Sequence, residues 1–161
     1  MSGTKILIYG YGNPGRQDDG LGNAFVEGME AWAKEKGIEG ISFDSNYQLN
    51  IEDAAEVSDK DLVIFADAST EPIESFILTP VTASTKVAFT THAASPGYIV
   101  DLCKQLYQRV PATYLMHIKG YNWAFREGLS EKALKNLAGA LEHLQALLLK
   151  PQKMIDSFQD F

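Results

Sequence analysis

Apolar residues along this chain change their period several times, and each change marks an element. "KILIYGYG" (5–12) is an unbroken apolar run closed by glycine, the pattern of a strand buried on both faces. Over 19–37, Leu21, Phe25, Met29 and Trp32 recur at helical spacing, and Gly37 supplies a stop. "GISFDSN" (40–46) alternates and predicts a second strand, followed by a short helix over 50–60. "DLVIFADAS" (61–69) is a third strand, and "IESFILTPV" (73–81) a fourth, ended by Pro80. Ser95 is an N-cap and Pro96 suits the first helical position, with Ile99, Leu102 and Leu106 along one face. Residues 112–121 read as the last strand. A long helix over 129–150 is capped by Ser130 and carries a core stripe of Leu134, Leu137, Leu141, Leu144 and Leu148.

Strands alternating with helices predict an α/β layer fold with a mainly parallel sheet. One domain spans 1–150. A tail, 151–161, offers Met154, Ile155 and Phe158 for packing. Folds of this class bind ligands at the carboxyl ends of their strands, so the residues just after each strand are the ones to inspect.

Three of them carry chemistry. Asp19 follows the first strand, Asp67 closes the third, and His92 precedes the Ser95 cap. Two carboxylates and an imidazole on one rim make a divalent-metal site with open positions. Without metal, converging carboxylates raise one pKa, because like charges disfavour joint ionisation. Each residue also has a structural alternative: Asp19 favouring a helix macrodipole, Asp67 bonding turn amides, His92 sitting satisfied in a loop. Asp18 is expected to be an N-cap. His117, inside a strand, and His143, off the leucine stripe, are weaker candidates.

A rival reading uses the same opening turn. Gly10, Gly12 and Gly15 spell G-x-G-x-x-G after a strand, and Asp44 ends the second strand where a ribose-binding acid would sit. Asp44 lies past the usual spacing of about 20 residues. Pro14 offers no amide to a phosphate, and Asp18 and Asp19 bring negative charge. A dinucleotide-binding module or oxidoreductase stays open as the alternative.

Charge and composition narrow the partners. The 161-residue chain has a net charge of −7 and no basic stripe, which argues against nucleic acid. No run approaches the ~18 apolar residues of a membrane span. The one cysteine, Cys103, excludes an intrachain disulfide and a cysteine-rich zinc site, and fits a cytoplasmic protein. Its helical context reads as a buried small hydrophobe. There is no G-x-S-x-G and no H-E-x-x-H, so a Ser–His–Asp triad is not the obvious engine.

"GYGNPGRQDDGLG", "DLVIFADAS", "THAASPGYIVDLCKQLY" and "IKGYNWAFREGLSEKAL" together resemble the hydrogenase maturation proteases, over residues 5–149. That resemblance implies a three-layer α/β/α sandwich whose five-stranded, mainly parallel sheet has its fourth strand antiparallel. It implies an endopeptidase that removes a C-terminal extension from a nickel-loaded hydrogenase large-subunit precursor. The nickel would be carried by the substrate. The family's metal-contacting residues map onto Asp19, Asp67 and His92, the three picked out at the strand ends. A metal-dependent assembly chaperone that uses this rim without cutting is a further alternative. This chain departs from the family at "HAASPG", where many relatives continue His-x-Leu-Gly, which puts the shape of that loop in question.

Overall fold

The structure, a computed structural model, describes residues 3–84 and 94–158. Five strands form one sheet in the order β2-β1-β3-β5-β4. They are β1 (Ile6–Tyr11), β2 (Ile41–Asn46), β3 (Leu62–Ser69), β4 (Phe76–Pro80) and β5 (Ala112–Lys119). β1, β2, β3 and β5 are parallel, and β4 pairs antiparallel with β5. Pro80 is tolerated because β4 is an edge strand.

The continuous apolar runs of β1 and β3 lie at the centre of the sheet, covered on both faces. Ile6, Ile8, Leu62 and Ile64 point into one core, shared with Phe25 and Met29 of α1 (Leu21–Lys36) and Leu137 and Leu144 of α4 (Glu131–Leu148). Leu7, Tyr9, Val63 and Phe65 point into the other, shared with Val57 of α2 (Ala54–Ser58) and Ile99 of α3 (Pro96–Leu102). The result is a three-layer α/β/α sandwich. Ser95 and Ser130 cap α3 and α4, each accepting from an amide three residues on.

Three expectations shift. The first helix begins at Leu21, because Pro14–Gly20 form a 3-10 segment broken at Gln17 (φ 48, ψ −115). In α4 the buried stripe runs through Ala133, Leu137, Ala140, Leu144 and Leu148, while Leu134 is 51% exposed. Positions 133 and 134 are both one turn before Leu137, and the alanine takes the inward one. After Leu102 the helix widens into a π turn, Cys103–Tyr107, which adds a residue per turn and carries Leu106 outward. The chain end packs as α5 (Pro151–Ser157): Met154 is buried, and its carbonyl accepts from the Tyr114 hydroxyl at 2.6 Å. Among the described residues, no helix is long and apolar enough to cross a membrane.

Candidate active site at the carboxyl rim

The site begins with a close approach of backbones. A Cβ at Gly10 would strike the Gly22 carbonyl, and one at Gly22 would strike the carbonyls of Ala66 and Tyr11. Two glycines thus let the start of α1 press onto the ends of β1 and β3. Gly12, at φ 148, turns the chain over the Asp19 carbonyl, where no side chain fits. The Asn13 amide then donates to Asp19 Oδ2 at 3.0 Å. Asp19 is therefore aimed by the turn it follows.

Asp67 reaches the same rim from the end of β3. Burial is the main reason its pKa rises to about 7, and the negative charge of Asp19 adds to it. Hydrogen bonds from the Ala68 amide and the Tyr11 hydroxyl pull the other way and do not win. Tyr11 itself is pushed well above its usual range, by burial first and then by Asp67. Tyr11 is a site neighbour that apolar periodicity hides. The signal for it was register: Gly10 pairs with Ala66, which sets Tyr11 beside Asp67.

On the other flank, His117 is the register partner of Asp67 on β5, and paired residues share a face. Its Nε2 lies 2.9 Å from Thr79 Oγ1, and burial lowers its pKa. A largely neutral imidazole therefore sits one strand away from Asp67. His92, the third predicted residue, lies outside the described residues. Among the described residues, no group of three or more His, Cys, Asp or Glu is placed to hold a metal ion. What the described rim contains is Asp67 and Asp19, near enough for the charge of Asp19 to raise the pKa of Asp67, a repulsion that a cation would relieve.

Asp18 is not an N-cap of α1. Its side chain is wholly buried and accepts from the amides of Tyr121, Asn122 and Ser130 and from the Ser130 hydroxyl, all at 2.7–3.0 Å. Burial acts to raise its pKa. The bonds from Ser130, Asn122 and Tyr121 overcome that and hold it below the usual carboxylate range. The adjacent aspartates have divided the work: Asp18 turns inward to anchor the loop after β5, and Asp19 turns to the rim.

The amides that a phosphate-binding turn would offer already have partners. Gly12 N donates to Asn46 O, Asn13 N to Asp19, and Gly15 N to Asn13 Oδ1. Arg16 N, Gln17 N and Asp18 N donate to Asn13 O, Arg126 O and Asn122 O. Pro14 has no donor. Every amide from Gly12 to Asp18 is thus committed within the protein, and none is left for a pyrophosphate. Asp44 is exposed within β2, its carboxylate bonded to the next amide, Ser45 N. Cys103 is fully buried, and burial pushes its thiol up to about 11, far from a reactive thiolate. His143 is exposed, as its position off the stripe predicts.

Solved structures share this architecture. A NiFe hydrogenase maturation protease, HycI, from Thermococcus kodakarensis KOD1 superposes with a TM-score of 0.71 at 21% identity, over 91% of this chain and 94% of that one. The chain has the hydrogenase maturation protease fold. The hydrogenase maturating endopeptidase HybD from E. coli superposes with a TM-score of 0.70 at 18% identity, over 92% and 94% of the two chains. A hydrogenase 2 maturation peptidase from Thaumarchaeota archaeon SCGC_AB-539-E09 gives 0.62 at 17%, over 90% and 98%. No family model and no curated protein sequence matches the chain.

Proposed function

We propose that this chain is an endopeptidase that removes the C-terminal extension of a nickel-loaded NiFe hydrogenase large-subunit precursor. The observation that supports this best is the meeting of Asp19 and Asp67 at the carboxyl rim, in a fold shared with proteins described as hydrogenase maturation proteases. The nickel is part of the substrate. Asp19 and Asp67 contact it, with His92 as the nitrogen ligand that the sequence resemblance implies. Asp67 must lose its proton to do so, and the cation's charge offsets the burial, and the lesser repulsion from Asp19, that keep that proton on. A precursor without nickel offers no such gain, so the rim favours the loaded form. Hydrolysis adds water across the scissile C–N bond, and a rim carboxylate is suited to take the water's proton.

The test is mass spectrometry of nickel-loaded precursor after incubation with wild type, Asp67→Asn or His92→Ala. The wild type should release the C-terminal fragment, and each folded variant should not. Wild-type rates in both variants would sink the assignment. Binding of the precursor without any cut would indicate an assembly chaperone instead.

A further inference from the structure

The loop between β5 and α4 contains an aromatic side chain with no role in packing. Phe125 is 85% exposed, the largest exposure among the described large hydrophobics. An exposed apolar residue alone is ordinary. What sets this one apart is how firmly its surroundings are held. Arg126 O accepts from Gln17 N at 2.9 Å, and Ala124 N donates to Gln17 Oε1 at 3.1 Å. The Arg16 guanidinium donates to Trp123 O at 3.3 Å and lies over the Phe125 ring, 5.1 Å from its centroid. Asp18 binds the base of the same loop at Tyr121 and Asn122. Gln17 takes up a positive φ within this junction.

Two loops are therefore stitched together, residue against residue, and the product holds the Phe125 ring out in solvent over a half-buried Arg16. A side chain fixed before binding loses little freedom on binding, which is how interface anchors gain affinity. Phenylalanine and arginine are both enriched at interface cores. The same two loops also line a recess of about 130 Å³ between Pro14, Ala24 and Leu129. The segment that carries Arg16 and Gln17 runs directly into Asp18 and Asp19. The loop that carries Phe125 follows the carboxyl end of β5, so this surface lies on the same side of the sheet as the Asp19–Asp67 rim.

We infer that Phe125, clasped by Arg16, is a docking anchor for the folded body of the precursor protein, separate from the metal-sensing rim. The partner surface is an apolar socket bordered by carboxylate, which satisfies the ring and the guanidinium together. This rests on the proposed protease reading for the identity of the partner, but the contact itself does not need nickel or cleavage.

Phe125→Ala tests it, because an 85% exposed ring can be removed without harm to the fold. Leu149→Ala is the control: Leu149 is 70% exposed but follows the far end of α4, about 27 Å along an 18-residue helix. Two readouts are taken with the large-subunit precursor encoded in the same genome: affinity for nickel-free precursor by calorimetry, and KM and kcat on nickel-loaded precursor. Phe125→Ala should weaken affinity about tenfold or more and raise KM in step, with kcat kept, while Phe125→Trp restores binding and Leu149→Ala changes nothing. Wild-type affinity in Phe125→Ala overturns the docking role even if cleavage is normal. If wild type binds but does not cut, Phe125-dependent binding still upholds the anchor, and the protease reading alone fails. If wild type does not bind at all, the anchor is overturned.

Discussion

Asp18 and Ser130, 112 residues apart, share two hydrogen bonds: the serine amide donates to one carboxylate oxygen at 2.8 Å and its hydroxyl to the other at 2.7 Å. The same serine hydroxyl accepts from Ala133 N to cap α4. One buried carboxylate thus fastens the start of the last long helix to the loop that delivers Asp19.

Replacing Asp18 with alanine should therefore be costly. It strands the part-buried amides of Tyr121, Asn122 and Ser130 as well as a hydroxyl. The expected loss is about 3 kcal/mol or more of unfolding free energy by denaturant titration. The pH dependence has a definite sign. Asp18 has a folded pKa below its unfolded value of 3.8, so its stabilisation is complete above that value and is lost as pH falls through the folded one. Acid unfolding of wild type below about pH 4 should be shallower in Asp18→Asn, which has no such proton to take up.

Asp67 behaves in the opposite sense. Its folded pKa of about 7 stands above the unfolded 3.8, so ionising it in the folded protein costs stability. That cost is absent at low pH, grows between about pH 4 and 7, and is constant above. Asp67→Asn should therefore stabilise the metal-free protein at pH 8 by about 1–3 kcal/mol, and by less at pH 4. Greater stability together with lost processing is the signature of a strained functional group. Equal stability of the two proteins at both pH values would contradict the raised pKa of Asp67.

Gly12 is expected to tolerate no side chain. At φ 148, with the Asp19 carbonyl where a Cβ would go, Gly12→Ala must move the turn. Strain of roughly 1–3 kcal/mol should appear in denaturant titration. Precursor processing should fall more steeply than stability alone explains, because Asn13 no longer aims Asp19.

Cys103→Ala should leave processing at wild-type rate. The thiol is fully buried, its Sγ is 3.5 Å from Ala54 O, and burial raises its pKa to about 11. A loss of about 1 kcal/mol in stability is the expected change. Native protein should resist alkylation by iodoacetamide at pH 8, and rapid labelling would contradict this placement.

Much of the sheet was legible in the sequence because its signals are local. β1 and β3 declare themselves as apolar runs, and Ser95 and Ser130 as caps one residue before their helices. Asp67 stood out because a carboxylate at the end of a buried strand must have a reason to be there. Asp18 has the sequence context of a cap because the residues around it show only a helix start; its partners lie more than 100 residues on. Leu106 and Leu134 failed for a different reason. Periodicity assumes an unbroken α-helix and a fixed phase, and a π turn upsets the first while Ala133 takes the inward place in the second. The commitment of the glycine turn's amides is only half local: Asn13, Gly15 and Arg16 donate within the turn, while Gly12, Gln17 and Asp18 donate to β2 and to the loop after β5, where no local pattern points.

The most direct test of the account is the mass of the large-subunit precursor after incubation at pH 7.5, with and without nickel, with wild type and with Asp67→Asn confirmed folded by circular dichroism. The account predicts release of the C-terminal fragment only from nickel-loaded precursor and only by wild type. A fragment released equally from nickel-free precursor, or by Asp67→Asn at the wild-type rate, would contradict it.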